Sequence, residues 1–166
     1  IHNLKKWNLV KRIQNKYQIK KLAKNMIGEK IQNFGAELFA KPAKKGLQTP
    51  IHQDNHYWHI QTEKENFFPN GPGLTIWIAL EKSTKRNGAV FYFKKSHQVG
   101  LLEHVFLKKK TGLSQELKHK NLLKLFTKQT PELNIGDAII HNCMIVHGSN
   151  PNKSFKSRLG LTMRFI

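Results

Sequence analysis

The sequence predicts a mainly β fold of sandwich or jelly-roll type with helices on its flanks. Three features predict it. Short apolar runs end in turn residues instead of continuing with helical period. Gly, Pro and Asn recur between them. The length of 166 residues fits one domain, 1–166, around one core.

The elements follow in order. Residues 4–27 read as a flanking amphipathic helix, with Leu4, Trp7, Val10, Ile13 and Tyr17 at helical spacing and lysines between them. Gly28 is its stop. A basic amphipathic helix can lie on a membrane, but this apolar stripe is expected to pack on the domain's own core. Ile31 to Ala40 reads as a strand and Lys41-Pro-Ala-Lys-Lys-Gly46 as a loop. Thr49 to Ile60 reads as extended, and Asn66 to Gly73, rich in Pro and Gly, as a loop. Leu74 to Leu80 reads as a buried strand, Ser83 to Gly88 as a turn and Ala89 to Phe93 as a strand. Leu113, Leu117, Leu122 and Leu125 suggest a helix over Leu113 to Thr127. Asp137 to His147 and Leu159 to Ile166 read as strands, separated by Gly148-Ser-Asn-Pro-Asn152 and a basic loop.

Composition narrows the function. The 29 Lys and Arg against 10 Asp and Glu give a net charge of +19, which favours anionic partners. Only Arg12, Arg86, Arg158 and Arg164 are arginines, and the lysines are scattered, with three in a row only at Lys108 to Lys110. Abundant Lys, Asn and Ile are what an AT-rich genome supplies, so a solvated surface is expected in place of a specific nucleic-acid footprint. The expected partner is a small molecule, an anionic one included. Cys143 is the only cysteine, which excludes an intrachain disulfide and a cysteine-based metal site. It is expected to be a buried thiol in an apolar strand, and the usage fits a reducing, cytoplasmic setting. The run Leu74 to Leu80, interrupted by Thr75, is too short to span a bilayer, so no membrane span is expected. The first residue is Ile1, and an N-terminal part of the gene product is expected to be missing.

Chemistry concentrates at His52-Gln53-Asp54. Asp54 and Asp137 are the only aspartates, and the His-x-Asp triplet occurs once among nine histidines. On a strand, i and i+2 share a face, so His52 and Asp54 can reach one metal while Gln53 points away. The third ligand is expected to be His147, at the end of the apolar run from Ala138. Two His and one carboxylate on one face leave positions open for substrate and O2, as non-haem Fe(II) oxygenases require. The same ligands can also hold catalytic zinc. Arg158 separates the two options. It follows His147 by 11 residues, across a loop that can reverse the chain and bring it to the same cavity. A guanidinium there clamps a carboxylate, which a 2-oxoglutarate enzyme needs and a zinc hydrolase does not. His56, His59, His97 and His141 are further histidines, expected to be structural or substrate-facing. Of the adjacent Tyr57 and Trp58, a strand would turn only one to the cavity. Asp137 reads as a turn residue.

The stretches Pro50-Ile-His-Gln-Asp-Asn-His-Tyr-Trp58, Leu74-Thr-Ile-Trp-Ile-Ala-Leu80, Asn87-Gly88, Ser96-His97, Gly136-Asp137 and His147-Gly-Ser-Asn150 through Arg158 resemble the phytanoyl-CoA dioxygenase (PhyH) family from about Met26 to the end. The resemblance implies a cupin-like double-stranded β-helix and an Fe(II)- and 2-oxoglutarate-dependent, O2-consuming hydroxylase of a small organic substrate. It implies His52, Asp54 and His147 as iron ligands, Arg158 as the 2-oxoglutarate anchor and Ser149 as a second co-substrate contact. Gln53 and Trp77 match positions that line the co-substrate pocket. Trp58 and His56 are the candidates for facing substrate. Two departures stand out. Members usually carry a longer N-terminal part, and Lys94-Lys95 replace the family's glycine before Ser96-His97.

Alternatives remain. An AlkB-like nucleic-acid demethylase would suit the charge, but those enzymes place an arginine nearer the last histidine, and the sixth residue after His147 is Lys153. A non-catalytic member of the fold is opposed by the intact His52, Asp54, His147 and Arg158. A halogenase needs an open position where Asp54 sits.

Overall fold

The computed structural model describes residues 4–28, 31–59, 73–108, 111 and 113–166. The helix expected over 4–27 is broken. A 3-10 turn, Leu4–Lys6, leads into α1 (Asn8–Lys16) and α2 (Ile19–Ile27). Between them Gln18 takes φ 49°, in the left-handed region that residues with a Cβ seldom adopt. The break lets Val10 of α1 and Ile19 and Ala23 of α2 enter one core. No described helix is long and apolar enough to cross a membrane.

The strands are β1 (Asn33–Lys41), β2 (Thr49–His52), β3 (Leu74–Ala79), β4 (Val90–Phe93), β5 (His104–Phe106), β6 (Gln115–Leu117), β7 (Lys128–Gln129), β8 (Ala138–Asn142), β9 (His147–Ser149) and β10 (Arg158–Phe165). A helical turn, α3 (Asn55–Trp58), follows β2. Two four-stranded antiparallel sheets, ordered β1-β10-β3-β8 and β2-β9-β4-β7, line a common cavity, which is the jelly-roll arrangement expected. β5 and β6 form a separate hairpin.

Strand alternation sorts each sheet into a core face and a cavity face. In the first sheet Ala36, Ile76, Leu161 and Met163 pack with the helices. Their neighbours Glu37, Phe39, Thr75, Trp77, Arg158, Thr162 and Arg164 line the cavity. In the second sheet Phe91 and Phe93 pack with Leu117 and Val146, whereas Val90 and Tyr92 face the cavity.

Three expectations are corrected. The stretch Thr49 to Ile60 is extended only to His52 and then turns helical over α3. Leu113 to Thr127 is not one helix: Gln115–Leu117 pairs with β5, and only Lys120–Leu125 winds, as 3-10 helix. Leu117 is the buried member of that set, so pairing and burial outweigh the leucine spacing. The strand expected over Asp137 to His147 is two strands, one in each sheet, joined by a turn that holds the buried Cys143. The loop expected over Asn66 to Gly73 lies outside the described residues except for Gly73, as does Ile60.

Candidate metal centre

His52 ends β2 and His147 begins β9, and the two are register partners in the second sheet. Asp54 comes two residues after His52, at the start of α3 and not on the strand itself. The helical turn brings its carboxylate back: Asp54 Oδ1 lies 3.6 Å from His52 Nε2 and 3.7 Å from His147 Nε2. One donor atom from each residue lies within 4.8 Å of the others, and all three residues are buried. Ligand bonds of about 2 Å place neighbouring donors roughly 3–4 Å apart, so a single ion fits between them.

The protons are placed for coordination. His52 Nδ1 meets the Pro50 carbonyl at 2.8 Å, and His147 Nδ1 meets the Ile145 carbonyl at 3.0 Å. A carbonyl only accepts, so each Nδ1 donates, which leaves Nε2 of each ring as the atom directed at Asp54 and available to a metal. Burial and the neighbouring His52 hold His147 near a pKa of about 3, which keeps it neutral. Burial alone would push the Asp54 carboxyl up, but His147, with His52 and His141 beside it, holds it well below the usual carboxylate range. Neutral imidazoles and an ionised carboxylate are the forms that bind a metal.

The turn that delivers His147 is braced by the residues of the sequence motifs. Ser96 Oγ accepts from Val146 N at 2.8 Å, Asn142 Oδ1 from Met144 N at 2.7 Å, and Asn55 N donates to the Cys143 carbonyl at 3.0 Å. Gln53 is fully buried and belongs to this bracing. Its Nε2 donates to the carbonyls of Met144 (2.7 Å) and Gly100 (2.8 Å), and its Oε1 accepts from Leu102 N (2.7 Å). It is absent from the described lining of the cavity, so the co-substrate contact expected of Gln53 is corrected to a backbone-bracing position. His56 is also placed elsewhere: it bonds Gln115 Oε1 at 2.7 Å and stacks on His104 at 3.9 Å, away from the described cavity lining.

Arg158 opens β10, opposite Lys41 of β1. Asn152 fixes the loop before it, donating to the carbonyls of Lys41 at 2.9 Å and Lys156 at 2.8 Å, and Asn87 Nδ2 donates to the Ser157 carbonyl at 3.2 Å. Gly88 takes φ +86° where a Cβ would meet the Asn150 carbonyl at 2.6 Å, which accounts for the Asn87-Gly88 pair. Arg158 is 3% exposed, yet its Nε and Nη1 have no hydrogen-bond partner among the described residues. Burial lowers its pKa to about 10, so it stays charged at neutral pH. The same burial, with the Arg158 charge second, brings Lys41 down to about 7, and Lys41 Nζ donates to the Leu47 carbonyl.

The cavity enclosing these groups is about 370 Å³. Arg158, Ser149 and Trp77 all line it, and the Trp77 indole lies under the Arg158 guanidinium at 5.2 Å. Tyr57 and Trp58 both line it, because a helical turn, unlike the expected strand, can aim adjacent residues the same way. Sequence reading missed several lining residues. Thr75, Tyr92, Phe39, Glu37 and Arg164 converge only through sheet pairing, although the lone polar Thr75 in an apolar strand was a signal, and His141, one of the further histidines expected to be structural or substrate-facing, joins them. Arg164 Nη2 pairs with Glu37 Oε2 at 2.5 Å, with its guanidinium near the Phe39 and Trp58 rings.

Comparison with known proteins fits this geometry. The chain is 27% identical over 157 residues to a probable phytanoyl-CoA dioxygenase of Caenorhabditis elegans, covering 87% of this chain and 46% of the relative. It is 26% identical over 141 residues to ectoine dioxygenase of Sphingopyxis alaskensis, covering 79% and 45%. It thus spans less than half the length of these relatives. The fold matches a crystal structure of EctD from S. alaskensis with 2-oxoglutarate and 5-hydroxyectoine, with TM-score 0.77 and 20% identity over 99% of this chain and 55% of that one. It also matches EvdO2 from Micromonospora carbonacea var. aurantiaca complexed with 2-oxoglutarate, with TM-score 0.75 and 20% identity over 99% of this chain and 65% of that one. Residues 2–160 match the family description "Phytanoyl-CoA dioxygenase (PhyH)", and the chain belongs to that family.

Proposed function

We propose that the chain is an Fe(II)- and 2-oxoglutarate-dependent dioxygenase that hydroxylates a small organic substrate. The observation that carries this reading is Arg158: a buried guanidinium with two nitrogens unpartnered among the described residues, in the same cavity as the His52, Asp54 and His147 donors. Desolvating a guanidinium without hydrogen-bond partners is costly, and a carboxylate of a bound co-substrate offsets that cost. A hydrolytic zinc site would have no use for it. The EctD and EvdO2 structures named with 2-oxoglutarate, and the EctD structure named with bound Fe, support the same assignment.

When bound, iron, 2-oxoglutarate and O2 together supply oxidising power, converting the co-substrate to succinate and CO2 and one substrate C–H bond to C–OH. The protein's part is positional. Asp54, His52 and His147 present three donors from one side, and their hydrogen bonds to Thr75 and the backbone fix ring tautomer and carboxylate rotation. Arg158 grips the far carboxylate, Ser149 offers a hydroxyl beside it, and Trp77 walls that end of the cavity. Substrate takes the other end, between Trp58, Phe39 and the Glu37–Arg164 pair. Arg164 Nε has no partner among the described residues, which suits an anionic or carbonyl oxygen on substrate. The cavity volume sits at the small end for organic ligands, roughly 300–1,000 Å³. The cytoplasmic setting rests on the lone buried Cys143, whereas the Mus musculus relative is named as peroxisomal.

The test is anaerobic titration of the protein with Fe(II) and then 2-oxoglutarate, followed by a succinate-release screen over small acids, amino acids and acyl thioesters. Saturable, iron-dependent 2-oxoglutarate binding is expected. Iron binding with no response to 2-oxoglutarate would return the site to the hydrolytic reading.

A further inference from the structure

We propose that Tyr92 is a further anchor for the co-substrate, its hydroxyl donating a hydrogen bond to an oxygen of 2-oxoglutarate lying between the metal centre and Arg158. This inference rests on the function proposed above.

Tyr92 lies on β4, directly opposite His147 of β9. Its ring is stacked with that of His147, with centroids 5.8 Å apart and planes 19° apart, and lies 5.1 Å from His141. Alternation along β4 turns it into the cavity while Phe91 and Phe93 enter the core behind the sheet. The ring contacts alone would be met equally well by phenylalanine. What tyrosine adds is a hydroxyl, and here it is buried and has no hydrogen-bond partner among the described residues. A buried hydroxyl without a partner costs free energy, so its presence calls for a ligand that satisfies it.

The location identifies the ligand chemistry. Arg158 Nε and Nη1 have no hydrogen-bond partner among the described residues and lie in the same cavity, so two side chains from opposite sheets present unsatisfied donors to one space. Tyr92, the metal-ligand set of His52, Asp54 and His147, and Arg158 all line this one cavity, with the Tyr92 ring stacked on that of His147. A dicarboxylate reaching from the metal ligands to Arg158 shares that cavity with the hydroxyl. A phenol is protonated throughout the physiological range, so it acts as a donor, matching an anionic oxygen.

The experiment compares the full chain with its Tyr92→Phe variant. Three quantities are read: Fe(II) affinity, 2-oxoglutarate affinity of the Fe(II)-loaded protein under anaerobic conditions, and the melting temperature without co-substrate. The variant keeps the ring on His147 and removes only the hydroxyl. The expected result is an unchanged Fe(II) affinity, a 2-oxoglutarate affinity lower by about tenfold or more, as for a hydrogen bond to a charged oxygen, and a melting temperature equal to or above the parent's. Parent-like 2-oxoglutarate affinity in Tyr92→Phe would overturn the inference while leaving the proposed function standing. A parallel loss of Fe(II) affinity would also overturn it, because the residue would then act by packing on His147. A parent protein that binds Fe(II) but not 2-oxoglutarate would sink the function itself.

Discussion

Thr75 Oγ1 donates to Asp54 Oδ2 at 2.7 Å, which leaves Asp54 Oδ1 to face the Nε2 atoms of both His52 and His147. One strand hydroxyl therefore sets which carboxylate oxygen is available to a metal. Thr75→Val keeps the shape and removes the donor. Losing such a supporting hydrogen bond typically lowers metal affinity about 10–100-fold, and Fe(II) titration of parent and variant reads it. Parent-like affinity in Thr75→Val would show that Asp54 is held by its backbone alone.

Gly160 carries the second prediction. A Cβ at this position would lie 2.1 Å from Trp77 Cζ2, so the indole occupies the space a side chain would need. Gly160→Ala must displace Trp77 from beneath Arg158. Overpacking of this kind costs about 1–3 kcal/mol, and the expected outcome is a lower melting temperature together with weaker 2-oxoglutarate binding. Thermal melts and co-substrate titration check both parts.

Much of the metal site was legible because its signal is local. His52-Gln53-Asp54 is a contiguous triplet, and Arg158 follows His147 across a loop rich in turn residues. Asp54 joins His52 through a helical turn and not by the strand alternation expected. Gln53, inside the triplet, was assigned to co-substrate by resemblance, whereas its amide braces Gly100, Leu102 and Met144. The switch between sheets at Cys143–Val146 was hidden because the turn contains neither Gly nor Pro and is held by Asn142, Ser96 and Gln53 instead. Tyr92, Glu37 and Arg164 were illegible for a different reason. They meet only when distant strands pair, as when Arg164 comes opposite Thr75 and Thr75 opposite His141.

The acid sensitivity of the fold has a definite sign. An unfolded histidine takes up its proton near pH 6.5, whereas burial and His52 hold His147 off until about pH 3. Between those values the unfolded chain binds more protons, so stability rises with pH and is lost on acidification. Asp54, held below the usual carboxylate range, adds a loss of the same sign at lower pH. Melting temperature measured without metal should fall as pH goes from about 6.5 toward 4, and His147→Gln should flatten the slope. A melting temperature independent of pH across that range would contradict the protonation states assigned to the site.

The net charge of +19 invites nucleic acid, but the four arginines are dispersed and the lysines are spread over helices and loops. Binding to DNA or RNA should be weak at low salt and collapse as salt rises, as expected for counterion release alone. Filter binding across a salt series measures this. Tight, lesion-selective binding at physiological salt would favour the demethylase alternative.

The most direct test of the whole account is the 2-oxoglutarate affinity of the Fe(II)-loaded Arg158→Ala protein, measured anaerobically beside the parent. Arg158 is buried, with two nitrogens unpartnered among the described residues, in the cavity that holds the His52, Asp54 and His147 donors. Losing one partner of a desolvated charge pair typically costs about 2–5 kcal/mol, which is roughly a 30-fold or greater fall in affinity. Iron binding should be retained, and Arg158→Lys should recover only part of the loss, because lysine keeps the charge without the planar fork. Unchanged 2-oxoglutarate affinity in Arg158→Ala, with iron still bound, would contradict the assignment of this chain as a 2-oxoglutarate enzyme.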